Sequence, residues 1–121
     1  MDYYAIYEFE FDWEKGKPPV GIIVCQRIHA PDWSSLTYHA MHWSHPERAW
    51  VYAPDRCSDF LGRNDNQERQ RPVERGEAER ITPAITGGEE LPDEETIEWI
   101  FQWKGQPPQA EDSKHRWAWD S

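Results

Sequence analysis

Two alternating segments near the start of the sequence constrain the fold most strongly. Residues 3–13 carry mainly aromatic side chains at odd positions and increasingly acidic ones at even positions. Residues 20–28 carry apolar side chains on both faces. A two-residue repeat is typical of β-strands, and apolar side chains on both faces are typical of an inner strand. Because loop-forming residues ending in Pro18 and Pro19 separate the segments, we expect them to form an antiparallel hairpin.

The rest of the chain predicts an α+β fold, in which helices cover one face of an antiparallel sheet. Residues 56–71 are polar and are expected to form a long loop. We expect a single domain over 1–121, in which 107–121 forms either an extended C-terminal tail or an extra strand. The sheet is predicted to have about four strands: the hairpin 3-13/20-28, strands near 36-43 and 49-53, and a possible C-terminal strand at 114-119. One or two helices are predicted at about 73-85 and 92-104.

The charge of the chain excludes several classes of partner. Acids number 23 and bases 13, which gives a formal net charge of −10. Nucleic acids and anionic membranes are bound through clustered Lys and Arg, so we expect neither as a direct partner, whereas a protein with a basic surface fits. No apolar stretch approaches the roughly 18 residues of a membrane span, and the first residues do not have the pattern of a signal peptide. With only Cys25 and Cys57, we expect a cytoplasmic location and reduced thiols.

Three histidines, His39, His42 and His45, form the one cluster with the composition of a metal site. The flanking residues favour a strand, in which His39 and His42 point to opposite faces. No carboxylate or cysteine stands at a metal-ligand spacing, and no catalytic or nucleotide-binding motif occurs. We therefore expect no metal, no cofactor and no enzymatic activity. The alternative is a small enzyme or metal-binding protein that uses these histidines, with Cys57 as the nucleophile.

Six acids lie within residues 89–98, beside two tryptophans. The first turn of a helix favours acids, but this accounts for only part of the cluster. The excess predicts a surface on which charges steer a basic partner and tryptophans supply binding energy. Of the eight tryptophans, Trp13 and Trp50 are expected in the core, and the other six exceed what one small core hides. The residues predicted to bind the partner are Asp93, Glu94, Glu95, Glu98, Trp99 and Trp103.

In general character the chain resembles small cytoplasmic immunity proteins that neutralise bacterial toxins. Like them it is short, acidic and rich in aromatic residues, without a catalytic signature; the resemblance lies in these properties and not in aligned motifs. It implies a bacterial inhibitor, a monomer or homodimer, that caps the basic active site of a partner such as a nuclease. A further alternative is a self-associating structural subunit, in which residues 107–121 add a strand to a neighbouring molecule.

Overall fold

The hairpin expected near the amino terminus lies at the centre of an antiparallel sheet. The computed structural model of the protein describes residues 1–104. Its elements are β1 (Asp2–Ile6), β2 (Gly21–His29), β3 (Leu36–Ser44), β4 (Ala49–Tyr52), α1 (Pro54–Gly62), a 3₁₀ helix (Asn64–Arg69), β5 (Gln70–Val73), α2 (Arg75–Thr86) and α3 (Glu94–Gln102). The strands follow the order β4-β3-β2-β1-β5, and each neighbouring pair is antiparallel. The predicted α+β class is confirmed, with a fifth strand added to the sheet.

Alternate side chains of the inner strands enter two separate hydrophobic cores. Ile22 and Val24 of β2 are buried in the larger core, together with residues of α2 and α3. Ile23 and Cys25 point to the other face, where α1 covers them through Cys57. Burying one large apolar side chain contributes about 1.5–3 kcal/mol, so both faces of the sheet stabilise the fold. This double coverage explains why β2 begins without a polar face.

Helix α3 is held against the sheet by one apolar face. Ile97, Ile100 and Phe101 are buried to 2% exposure or less, and their spacing of three and four places them on one side of a helix. The Phe101 ring stacks on the ring of His39, with the centroids 5.3 Å apart. The helix predicted near 92–104 is confirmed, two residues shorter at each end.

Helix α2 confirms the other predicted helix, 73–85, and contains a proline. Pro83 lies inside the helix, which extends to Thr86. Ile85, which follows the proline, is buried in the larger core and keeps the last turn packed against the sheet. The helix ends at Gly87, whose φ of 79° is left-handed, a conformation that glycine adopts without steric cost.

The first strand is shorter than predicted, because the chain turns after Ile6. The prediction that residues 3–13 form one strand is therefore wrong beyond that point. Buried Asp12 stabilises the turns that follow, since its carboxylate accepts a hydrogen bond from the amide of Phe9 at 3.0 Å and its carbonyl accepts two more. Aspartate side chains compete with strand pairing in this way. Of the aromatic side chains at odd positions, those beyond the end of β1 and Tyr7 are consequently exposed: Phe9, Phe11 and Trp13.

The polar segment 56–71, predicted as a loop, instead contains most of α1, the 3₁₀ helix and the start of β5. Pro54 occupies the first position of α1, where its missing N–H costs nothing. Cys57 and Phe60, three residues apart, pack into the smaller core. Strand β5 lies at the edge of the sheet, which is where a strand tolerates a proline such as Pro72. Helices consequently cover both faces of the sheet, whereas one covered face was predicted.

Several predictions concern residues outside the described part of the chain. The C-terminal strand at 114–119 and the tail 107–121 stay predictions, as does the self-association that depends on them. The single domain over 1–121 also stays a prediction. Within residues 1–104, no helix is both long enough and apolar enough to cross a membrane.

Candidate protein-binding face

The outer face of α3 brings four of the six predicted partner-binding residues around one surface groove. The groove has a volume of about 540 Å³ and is lined by Asp93, Glu95, Thr96, Glu98, Trp99 and Gln102. Glu95 and Glu98 are exposed and lie one helical turn apart, and Trp99 is half-buried. Because the opposite face of the helix is buried, packing on the sheet fixes the direction in which these side chains project. We call this surface the α3 groove.

Asp93 has a structural role at the start of α3. Its carboxylate accepts a hydrogen bond from the amide of Thr96 at 2.7 Å, the interaction expected of an aspartate N-cap. A cap of this kind stabilises a helix by about 1 kcal/mol. Asp93 therefore helps to orient the helix that presents Glu95 and Glu98.

Glu94 points away from the α3 groove, toward β1 and α2. The hydroxyl of Tyr3 donates a hydrogen bond to Glu94 at 3.2 Å and accepts one from Arg75 at 3.0 Å. Burial raises the pKa of Tyr3, so its hydroxyl stays protonated and able to donate. Arg75 also forms an ion pair with Glu79 at 2.8 Å. The structure thus separates Glu94 from the other predicted binding residues and makes it an anchor of α3.

The α3 groove is acidic, and the helix that forms it, Glu94–Gln102, carries no Lys or Arg. Residues 89–103 contain no Lys or Arg. None of the ion pairs formed within residues 1–104 includes Glu95 or Glu98. Two like charges one helical turn apart destabilise each other slightly, and a cation from outside the described residues would relieve that repulsion.

The tryptophans divide between core and surface in a way that only partly matches expectation. Trp50 is buried, as predicted, but Trp43 is buried as well and packs edge-on against it, with centroids 5.5 Å apart. Trp13, expected in the core, is partly exposed because β1 ends before it. Trp103 follows α3 and is 39% exposed, and Trp33 in the β2–β3 turn is 72% exposed. The larger core therefore contains Trp43 and Trp50, and not the expected pair of Trp13 and Trp50.

The histidine cluster is divided between different parts of the structure. His39 faces α3 and lies 2.8 Å from the hydroxyl of Tyr52, whereas His42 faces α1, which confirms the predicted separation. The Nε2 atom of His45 lies 2.7 Å from the carbonyl of Val20. Within residues 1–104, no group of three or more His, Cys, Asp and Glu side chains is arranged to hold a metal ion.

Cys57 lies in the same cleft as His42 but is not prepared for nucleophilic chemistry. Burial raises the pKa of the Cys57 thiol to about 12, so thiolate is scarce at neutral pH. Both nitrogens of His42 are already engaged, one 3.1 Å from the carbonyl of Trp43 and the other 3.4 Å from the guanidinium of Arg56. Activation of a cysteine needs a histidine that is free to take its proton. The geometry therefore does not favour the alternative of an enzyme at this position.

The cleft that holds His42 and Cys57 was missed by the sequence reasoning. It lies between the sheet and α1, has a volume of about 240 Å³, and is lined by residues that include Gly21, Ile23, Arg56 and Phe60. We call it the α1 cleft. The signal that could have indicated it is Gly21 itself, since glycine within an apolar strand often marks a place where a ligand or another backbone approaches closely.

Comparison with known proteins gives no relative for this chain. A scan against models of protein families, a search of curated proteins and a search of solved structures each found no match.

Proposed function

We propose that this protein is a cytoplasmic inhibitory binding protein whose α3 groove docks on a basic surface of a partner protein. The partner would be a toxin or another enzyme with a cationic active site, such as a nuclease, which the groove would cap. The observation that carries the proposal is the convergence of Glu95, Glu98 and Trp99 on one groove of a helix whose other face is buried.

The two kinds of side chain in the groove would contribute differently to binding. Carboxylates attract a basic partner over about 8 Å at physiological ionic strength and mainly raise the rate of association. A tryptophan at the centre of an interface typically contributes at least about 2 kcal/mol, mainly by slowing dissociation. The proximity of Trp99 to Glu95 and Glu98 thus matches the usual arrangement of a hot spot with a charged rim.

The anchoring of α3 also favours binding, because a rigid surface loses little conformational entropy when a partner docks. Phe101 fixes the helix to the sheet, and the hydrogen bond between Tyr3 and Glu94 fixes its first turn. The helix backbone that carries Glu95 and Glu98 is therefore held in place before the partner arrives.

The proposal is tested with the charge-reversal variant E95K/E98K. The matched control is E10K/E14K, which makes the same charge change at two exposed acids of the β1–β2 connection. A partner is isolated on the immobilised wild-type chain from its source organism, purified, and titrated with each variant by calorimetry. We expect E95K/E98K to bind at least about tenfold more weakly than wild type, a loss of about 1.4 kcal/mol. The difference should shrink in 1 M salt, where the Debye length is about 3 Å.

The control variant separates local from general electrostatics. If E10K/E14K weakens binding as much as E95K/E98K does, only the net charge matters and the α3 groove is not the binding surface. Thermal melts of both variants must match wild type for this comparison to hold. A partner that binds E95K/E98K with unchanged affinity contradicts the proposal outright.

A further inference from the structure

The α1 cleft has the size and lining of a site for a small apolar group. It lies on the face of the sheet opposite α3, and its lining is almost entirely apolar apart from His42 and Arg56. A cavity of about 150 Å³ lined by aliphatic and aromatic side chains admits benzene. At about 240 Å³, this cleft accommodates a six-membered ring with a short substituent, or a short alkyl chain.

The cleft exists partly because Gly21 has no side chain. Gly21 pairs with Ile6 across β1 and β2, so a side chain there would project on the α1 side of the sheet. A Cβ atom built on Gly21 would lie 3.4 Å from the Cβ of Ile6, and its φ is not in the left-handed region. The backbone therefore does not require glycine at this position. What glycine provides at this first position of β2 is open space.

Arg56 places a positive charge at this apolar space. Arg56 is exposed. It forms no ion pair with any acid of residues 1–104. These acids include Glu47, whose negative charge acts to raise the pKa of His42. Since the Nδ1 atom of His42 must donate to the carbonyl of Trp43 at 3.1 Å, its Nε2 atom accepts from Arg56 at 3.4 Å. A neutral imidazole thus orients the guanidinium and leaves its charge uncompensated.

The dipole of α1 favours an anion near Arg56, and Asp55 places one negative charge in the same first turn. The N-cap position is Ala53, and no side chain caps the first turn. Uncapped N–H groups carry the partial positive charge of the helix dipole, which favours an anion. Arg56 and Cys57, both residues of this first turn, line the cleft.

We propose that the α1 cleft binds a small carboxylic acid with an apolar body, whose ring or alkyl chain lies beside Gly21 and whose carboxylate pairs with Arg56. The guanidinium supplies the charged hydrogen bonds that a carboxylate prefers, and the apolar lining takes up the rest of the molecule. This site is independent of the α3 groove, because the two lie on opposite faces of the sheet.

The test uses two probes, phenylacetate and hexanoate, each compared with its uncharged amide. Binding is followed by the backbone amide resonances of Gly21, Ile23, Arg56 and Cys57 in ¹H–¹⁵N spectra. We expect saturable shifts with at least one acid, and binding of the matching amide at least about tenfold weaker, since charged hydrogen bonds are worth more than neutral ones.

Two variants and one control assign the contacts. R56Q should reduce the affinity for the acid to that for the amide, whereas R63Q, an exposed arginine just after α1, should leave it unchanged. G21V should fill the cleft, keep or raise the melting temperature, and abolish binding of both probes. The absence of saturable shifts with either acid overturns the proposal. So does equal binding of acid and amide, or undiminished binding by a folded G21V protein.

Discussion

Truncation of Phe101 to alanine tests whether one side chain holds α3 on the sheet. The ring is 1% exposed and packs against His39, at a centroid distance of 5.3 Å, and Tyr52, at 6.1 Å. Replacing a buried phenylalanine by alanine typically costs about 3–5 kcal/mol, because transfer energy is lost and a cavity remains. The stacked contact with His39 adds about 0.5–1.5 kcal/mol to what apolar burial alone provides. We therefore expect F101A to lose about 4 kcal/mol.

That loss is large for a chain of this length. Domains of this size unfold with a free energy of about 5–15 kcal/mol, so the substitution removes between about a quarter and four fifths of it. At about 4 °C per kcal/mol, the melting temperature should fall by about 16 °C. Urea denaturation followed by tryptophan fluorescence and by far-UV circular dichroism measures the change in the free energy of unfolding.

The control is Q102A, on the exposed face of the same helix. It removes an exposed side chain and should change the free energy of unfolding by less than about 0.5 kcal/mol. A loss below about 1.5 kcal/mol in F101A would refute the packing argument, unless hydrogen exchange shows that α3 alone detaches. In that case the amides of Ile97 and Ile100 should lose protection while those of β2 keep it.

Three further outcomes follow from groups described above. Burial, and to a lesser degree Lys104, lowers the pKa of His39, so protonation of His39 opposes folding. The free energy of unfolding should therefore fall as the pH drops through about 6.5, by up to about 1.4 kcal/mol per pH unit. The fall should be less steep in H39Q. Cys57, with a pKa near 12, should react with iodoacetamide at neutral pH only at the rate at which the protein opens, as measured by mass spectrometry with and without urea. W43A should cost about 3–5 kcal/mol of unfolding free energy, whereas W33A should cost less than about 0.5 kcal/mol; similar losses would contradict their assigned burial.

The sequence predicted the elements whose signals are local. The alternation in residues 20–28 predicts the central strand correctly, and the apolar spacing of Ile97, Ile100 and Phe101 predicts α3. Glu95 and Glu98 were singled out by another local signal, because they belong to the run of six acids within residues 89–98.

The predictions failed where long-range contacts decide the structure. The alternation of residues 8–13 has the period of a strand, but hydrogen bonds of Asp12 turn the chain away. Helix α1 has only a short apolar stripe, and its stability depends on packing over β2 and β3. The α1 cleft combines Gly21 with Arg56, which are far apart in sequence, so no local pattern could place them together. The sequence prediction placed Glu94 among the partner-binding residues, because sequence spacing does not reveal its hydrogen bond with Tyr3.

The position of β1 between β2 and β5 has a consequence during synthesis of the chain. β2 is made soon after β1, but Val73, the partner of Tyr3 on the other edge, follows about 70 residues later. At about 5–20 residues per second, that edge of β1 stays unpaired for several seconds. An open, largely apolar strand edge is a template for association between nascent chains. Glu8 and Glu10, exposed just beyond the end of β1, place negative charge beside this edge for as long as it is open, which disfavours pairing with a second copy.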